Sequence, residues 1–330
     1  MSQIFMPNKR TLQLDLIVWL FSFFVFGCSE NQINKHGIGR EEKGCKLLVL
    51  GTTQDGGSPH IGCKKNCCKE LFLNSDHSRK VVSLGLIDFD HKQTFMFEAT
   101  PDISSQLKYL KNKSPFMQGE VPDGIFLTHA HIGHYTGLMY LGKEAMNSNE
   151  TPVYTMPKMK SFLETNGPWS QLIRLKNIRL KSIFKDSILE LNAHFKVQAI
   201  KVPHRDEYSE TVGFKIIGPN KKVLFIPDID KWEKWDLKIE EEIKKVDLAF
   251  LDATFYDGNE IGNRDMREIP HPFVVESIER FKILSEKDKS KIYFIHFNHT
   301  NPLLDNTNLQ SSRLKSLGFH AAELGQIFEL

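Results

Sequence analysis

The stretch Gly124-Ile125-Phe126-Leu127-Thr128-His129-Ala130-His131-Ile132-Gly133-His134 decides how this chain is read. Residues 124–128 form a short apolar run, the pattern of a buried strand. In an extended chain residues i and i+2 point the same way, so His129 and His131 converge on one point. Gly133 permits a sharp bend, and His134 can return to that point from the start of the next helix. Neutral imidazoles gathered in this way suit zinc, iron, manganese or nickel. A polar loop that is merely rich in histidine is the competing interpretation. Three histidines within six residues at a strand-to-helix turn speak against it.

Outward from this cluster, apolar runs alternate with helical patterns. Lys46 to Leu50, Val81 to Phe89 and Thr94 to Glu98 read as strands, the last two as a hairpin around Asp90-His91. Ile103 to Lys111 has helical apolar spacing, and Tyr135 to Met146 reads as a helix. In the second half, Phe195 to Val202, Val212 to Ile217, Val223 to Ile226, Leu248 to Leu251 and Ile292 to Phe297 read as strands. Ile239 to Val246 and Phe273 to Leu284 read as helices. Strands interspersed with helices predict an α/β protein, and no linker divides the chain after residue 45.

The bulk numbers exclude some classes. With 330 residues the chain can hold one large domain or two small ones. A net charge of +2 and the absence of long charge blocks give no field that would attract nucleic acid. The first 28 residues differ from the rest: Lys9 and Arg10 precede a mostly apolar run from Leu12 to Phe26, which ends in Gly27-Cys28. This is the layout of a secretory signal, with a lipoprotein-type box at Cys28, followed by a polar tether over residues 29–44. An uncleaved membrane anchor is the alternative, but the run is short for a span. Either way, the domain over residues 45–330 is expected outside the cytoplasm; the lipoprotein reading places it in the periplasm or on the outer membrane, with membrane contact through an N-terminal lipid.

The histidine cluster resembles the His-x-His-x-Asp-His hallmark of the metallo-β-lactamase superfamily. His204 after Val202-Pro203, Asp228 after Leu224-Phe225-Ile226-Pro227, and His296 in Phe294-Ile295-His296-Phe297 match that family's later landmarks in order. The likeness narrows with Gly51-Thr52-Thr53-Gln54-Asp55-Gly56-Gly57, Thr100-Pro101-Asp102, Leu251-Asp252-Ala253-Thr254-Phe255 and His296-Phe297-Asn298-His299-Thr300-Asn301-Pro302. These are similar to motifs of the coenzyme PQQ synthesis protein B family, from about Leu47 to the C-terminus. The biosynthetic members lack the first two histidines and keep the aspartate, whereas this chain keeps the histidines and has Gly133 in the aspartate's place.

The resemblance implies a four-layer αββα sandwich and metal-dependent hydrolysis of a small molecule. Esters, lactams, phosphodiesters and thioesters all remain open as substrates. It also implies a first metal position at His129, His131, His204 and Asp228. The second would have only His134, Asp228 and His296, so one tight ion is expected, with the second weak, absent, or rescued by His271 or His299. Asp228 would orient the attacking water, and His271 or His299 would bind substrate or protonate the leaving group. Zinc is the expected metal, with iron or manganese as alternatives. An iron-dependent redox enzyme, a PQQ-biosynthesis protein and a non-catalytic metal-binding protein are the rival functions.

Cys63, Cys67 and Cys68, with His60 upstream, form a second constellation. Thiolates this close can bind structural zinc, and the family commonly carries a cysteine cluster in this loop. A disulfide is the other reading, and export would permit it. Cys45 has no assignment.

Overall fold

The run Lys46-Leu47-Leu48-Val49-Leu50 is apolar at consecutive positions because both faces of its strand are covered. In the computed structural model, which describes residues 42–262 and 264–330, Leu47 and Val49 face one core while Leu48 and Leu50 face another. The signal, Cys28 and the tether up to residue 41 lie outside the described residues.

Two seven-stranded sheets build the fold. The first contains β1 (Cys45–Gly51), β2 (Ser83–Asp88), β3 (Gln93–Phe97), β4 (Gly124–Phe126), β5 (Thr151–Thr155) and β6 (Ile178–Ser182). The second contains β7 (Ile188–Glu190), β8 (Lys196–Lys201), β9 (Val212–Ile217), β10 (Lys222–Ile226), β11 (Leu248–Asp252), β12 (Ile292–Ile295) and β13 (His320–Ala321). A last strand, β14 (Ile327–Glu329), returns to pair with β1, so the sheet orders are β14-β1-β2-β3-β4-β5-β6 and β13-β12-β11-β10-β9-β8-β7. In each sheet an antiparallel portion passes into a parallel one, at β3–β4 and at β10–β11.

Three cores separate four layers. Phe97, Phe126, Phe214, Phe225 and Phe250 fill the space between the sheets. Outside the first sheet, Leu48, Ile125 and Val153 pack under the helices Ile103–Lys113 and Pro157–Thr165. Outside the second, Leu224, Leu251 and Phe294 pack under Ile239–Lys244, Val274–Phe281 and Leu309–Ser316. Burial of this kind contributes roughly 25 cal/mol per Å² of apolar surface. The arrangement is the expected αββα sandwich, and residues 42–330 form one compact unit.

One element departs from expectation. Tyr135 to Met146 is not a continuous helix: a four-residue helix, Ile132–Tyr135, passes into a 3₁₀ segment, Thr136–Leu141. The backbone is pulled against its neighbour here. A Cβ at Gly137 would lie 2.1 Å from the Thr100 carbonyl, and the Gly137 N–H donates to the Ala99 carbonyl at 2.9 Å.

Candidate metal centre

The strand ends deliver the chemistry. β4 runs into Thr128 and His129, β8 into His204, β10 into Asp228, β11 ends on Asp252, and β12 runs into His296. They converge in a basin at one edge of the sandwich. Asp228 Oδ2 lies 3.3 Å from His129 Nε2, 3.2 Å from His204 Nε2 and 3.7 Å from His131 Nδ1. These four residues place one ligand-type atom each within a single coordination sphere. His134 and His296 stand on the far side, with His134 Nε2 4.0 Å from the same Asp228 oxygen.

Each histidine is oriented by a partner on its other nitrogen, as metal ligands usually are. His129 Nδ1 lies 2.9 Å from Thr128 Oγ1 and His296 Nδ1 2.8 Å from Thr254 Oγ1, each within hydrogen-bond distance, and His204 Nδ1 donates to Asp230 Oδ1 at 3.2 Å. His134 Nδ1 faces the buried Glu98 carboxylate at 3.5 Å, and His131 Nε2 faces Glu207 at 3.6 Å. Thr254 Oγ1 in turn donates to Asp252 Oδ1 at 2.7 Å. Glu98 and His296 both adopt positive φ, at 76° and 68°. Such strain in residues other than glycine persists only where the surroundings enforce it.

The donor set fits a cation. Asp55 Oδ1, His129 Nε2, His134 Nε2, Asp228 Oδ1 and His296 Nε2 are buried and have no hydrogen-bond partner, and Asp55 Oδ1 lies 3.0 Å from His134 Nε2 and 3.7 Å from His296 Nε2. The carboxylates of Asp55, Glu98, Asp228 and Asp252 form ion pairs only with histidines; among the described residues no lysine or arginine reaches them. Uncompensated buried charge of this density is costly unless a positive group balances it. Burial opposes the charged form of His134, yet Glu98 and Asp55 hold its pKa well above the ordinary value. Burial likewise opposes charge on His204, but Asp228 and Asp230 raise it to about 9. His129, by contrast, is held well below the usual imidazole value by burial and by its neighbour His134, so it is neutral and ready to ligate.

His271 and His299 separate. His271 is in the basin: its Nδ1 donates to Asp252 Oδ2 at 2.9 Å and sits 3.1 Å from Asp228 Oδ1. His299 is elsewhere, within ligand distance of Cys63, Cys67 and Cys68, and so cannot rescue the basin or act on substrate there. The carboxylate beside His134 and His296 is instead Asp55, a residue the sequence reading left unassigned. Its loop gives no signal beyond glycines and a turn. The clue was Gly133 itself, a glycine where a ligand was expected.

The cysteine loop also differs from expectation in its fourth member. Cys63 and Cys67 sulfurs are 3.6 Å apart and those of Cys67 and Cys68 4.0 Å, close to the roughly 3.8 Å edge of a tetrahedron with Zn–S bonds of 2.3 Å. None of the three forms a disulfide. His299 completes the set with a buried Nδ1 that has no partner, and burial, together with the charges of His60 and Lys65, lowers its pKa to about 4. His60 is not a fourth ligand. Its ring stacks on His299 at 4.6 Å and its backbone N–H donates to Cys68 Sγ at 3.3 Å. Cys45 lies apart, 3.4 Å from His194 Nδ1.

Residues 93–297 match the family model of the beta-lactamase superfamily domain, and the chain belongs to that superfamily. Within it the chain is PqqB-like. It is 21% identical over 309 residues to coenzyme PQQ synthesis protein B of Acinetobacter baylyi, covering 86% of this chain and 99% of the relative. To the same protein of Methylococcus capsulatus it is 24% identical over 304 residues, covering 84% and 97%. Among solved structures, the Zn²⁺-bound PqqB of Methylobacterium extorquens superposes with a TM-score of 0.70 at 19% identity, over 86% of this chain and all of that one. A diphosphatase of the PhnP family gives 0.59 at 20% identity, covering 87% and 97%.

Proposed function

We propose that this chain is a metal-dependent hydrolase acting on a small molecule. The observation that carries the reading is the set of five buried ligand-type atoms without hydrogen bonds, on residues clustered within ligand distance of their neighbours. His129, His131, His204 and Asp228 would hold the ion, and zinc suits three imidazoles and a carboxylate. A dication bound there supplies Lewis acidity and a nucleophile at neutral pH. The similar chain from Methylobacterium extorquens is described as Zn²⁺-bound, and a diphosphatase is among the structural neighbours, which supports the reading.

The chain's own residues have distinct tasks. Asp228 directs Oδ2 at the first-site imidazoles, with Oδ1 3.1 Å from His271 Nδ1, and its carboxylate would orient attacking water. His271, anchored by Asp252, keeps Asp228 ionised and fixed. His131 is the most exposed of the first four ligands, with partly exposed Glu207 and Ile132 beside it, so substrate enters on that side. We also propose export and lipid attachment at Cys28, supported by the basic residues and apolar run before it. An intact Met1–Gly27 segment on cytoplasmic protein in the native host would contradict it.

Elemental analysis of the purified chain, with hydrolysis of ester, lactam, phosphodiester and thioester panels before and after chelation, tests the main reading. Turnover lost on chelation and restored by zinc is expected. Oxygen consumption with iron in the basin would instead indicate a redox enzyme. A basin ion without any turnover would indicate a binding protein.

A further inference from the structure

Gly133 leaves no room for the side chain that the superfamily hallmark places there. A Cβ on Gly133 would lie 2.2 Å from Asp55 Oδ1, 2.8 Å from Asp55 Cγ and 2.5 Å from Asp55 Cα. The space is already filled, and a carboxylate fills it. Asp55 Oδ1 lies 3.0 Å from His134 Nε2 and 3.7 Å from His296 Nε2, buried and without a hydrogen bond.

The backbone explains how a residue so distant in sequence arrives there. Residues 52–54 are sutured to the end of β12, the strand that carries His296. Phe297 N–H donates to the Thr52 carbonyl at 2.8 Å, and Gln54 N–H donates to the Phe297 carbonyl at 2.8 Å. Thr52 and Thr53 N–H groups both donate to the Lys80 carbonyl, and Val82 N–H returns a bond to Thr53. Asp55 is therefore positioned by the same strand end as His296. A side chain at 133 would expel it.

We propose that Asp55 and Gly133 form a single exchange. The carboxylate of the second metal position comes from the N-terminal loop instead of the histidine motif, and glycine at 133 makes way for it. Asp55, His134, His296 and Asp228 then compose a second position beside the first, and the basin holds two ions instead of one. This rests on the metal-dependent reading above. It reverses the expectation that the second position has only His134, Asp228 and His296 and is therefore weak or absent.

The test is equilibrium dialysis of the full chain against zinc and against manganese, with metal analysis, after chelation. Asp55→Asn, Asp55→Ala, Gly133→Ala and Asp55→Ala/Gly133→Ala are compared with the unmodified protein, and differences between variants cancel any ion in the cysteine loop. Asp55→Ala should lose one ion per chain, or weaken it by more than the roughly 10–100-fold that loss of an outer partner costs. Gly133→Ala should lose the same ion because its methyl group displaces the carboxylate, and the double variant should lose no more than either single one. Asp55→Asn keeps the shape and should lose the ion with little change in thermal midpoint, which separates ligation from a purely structural role. Basin ions that survive Asp55→Ala and Asp55→Asn, or an ion gained by Gly133→Asp, would overturn this inference alone. A basin that takes up no ion in the unmodified chain would overturn the metal-dependent reading together with it.

Discussion

The histidine basin and the cysteine loop are two candidate metal centres built by opposite means. Most basin ligands follow the ends of strands, and His129, His134, Asp228 and His296 are buried. Each histidine is held by a second residue, such as Thr128, Asp230, Thr254 or Glu98. The loop centre rests on a four-residue helix, Asn66–Lys69, and its sulfurs have few partners beyond each other, the His60 N–H and the Lys65 N–H. A site on strand ends is fixed by the fold before any ion arrives. A site on a loop depends on its ion for order. Yet the two are joined: His296 serves the basin and His299 the loop, and the segment that carries Asp55 continues into Cys63. An ion held in the loop would thus brace one wall of the basin.

The largest effect should come from His131→Ala. It removes a first-position ligand and leaves the cysteines untouched, so hydrolysis and the tight basin ion should vanish together while the loop ion stays. Metal analysis and turnover on the same preparation check this. Loss of the loop ion as well would mean that the two centres are not built independently.

Cys67→Ser should come next. Loss of a structural metal belongs among the mechanisms that cost about 4 kcal/mol or more, read as a fall in thermal midpoint. The brace predicts a further consequence: the Asp55-dependent ion should weaken while the ion on His129, His131 and His204 remains. Equal retention of both basin ions would show that the loop does not support Asp55.

Asp230→Asn sharpens the comparison from the basin side. It weakens the acceptor on His204 Nδ1, 3.2 Å away. Affinity for the first ion should fall by roughly 10–100-fold, with no change at the cysteine loop. Competition with a chromogenic chelator measures it.

The smallest effect lies behind the loop centre. Glu260 accepts from Thr300 Oγ1 at 2.5 Å, and burial raises its pKa to about 7. A carboxyl raised on folding favours the folded state in its neutral form. Its contribution is complete below the ordinary glutamate range and is lost as pH rises through 7. Unfolding free energy should therefore fall on the order of 1 kcal/mol between pH 4.5 and 8, and Glu260→Gln should flatten that part of the profile.

Much of this fold was legible because its strands are continuous apolar runs. Val212–Ile217 stands where its pattern placed it. Other strands were hidden by their composition. Thr151–Thr155 contains Pro152, which argues against a strand interior, and Ile178–Ser182 alternates with Arg179 and Lys181 at a sheet edge. At the site, His129, His131 and His134 could be read from spacing because one strand and one turn place all three. Asp55 could not, since its approach to Gly133 depends on the hydrogen bonds of residues 52–54 with Phe297. His299 was misplaced for a related reason. It follows His296 by three residues, but the chain turns at Asn298, where the Asn301 N–H donates to the Asn298 carbonyl at 2.8 Å, and His299 joins the cysteines.

The central claim is that the basin is a metal centre with two positions. Anomalous diffraction at the zinc edge from crystals of the zinc-loaded chain tests it most directly. Two peaks are expected in the basin, one among His129, His131, His204 and Asp228 and one among Asp55, His134 and His296, with a third among the cysteines and His299. Density at the cysteines with none in the basin would contradict it.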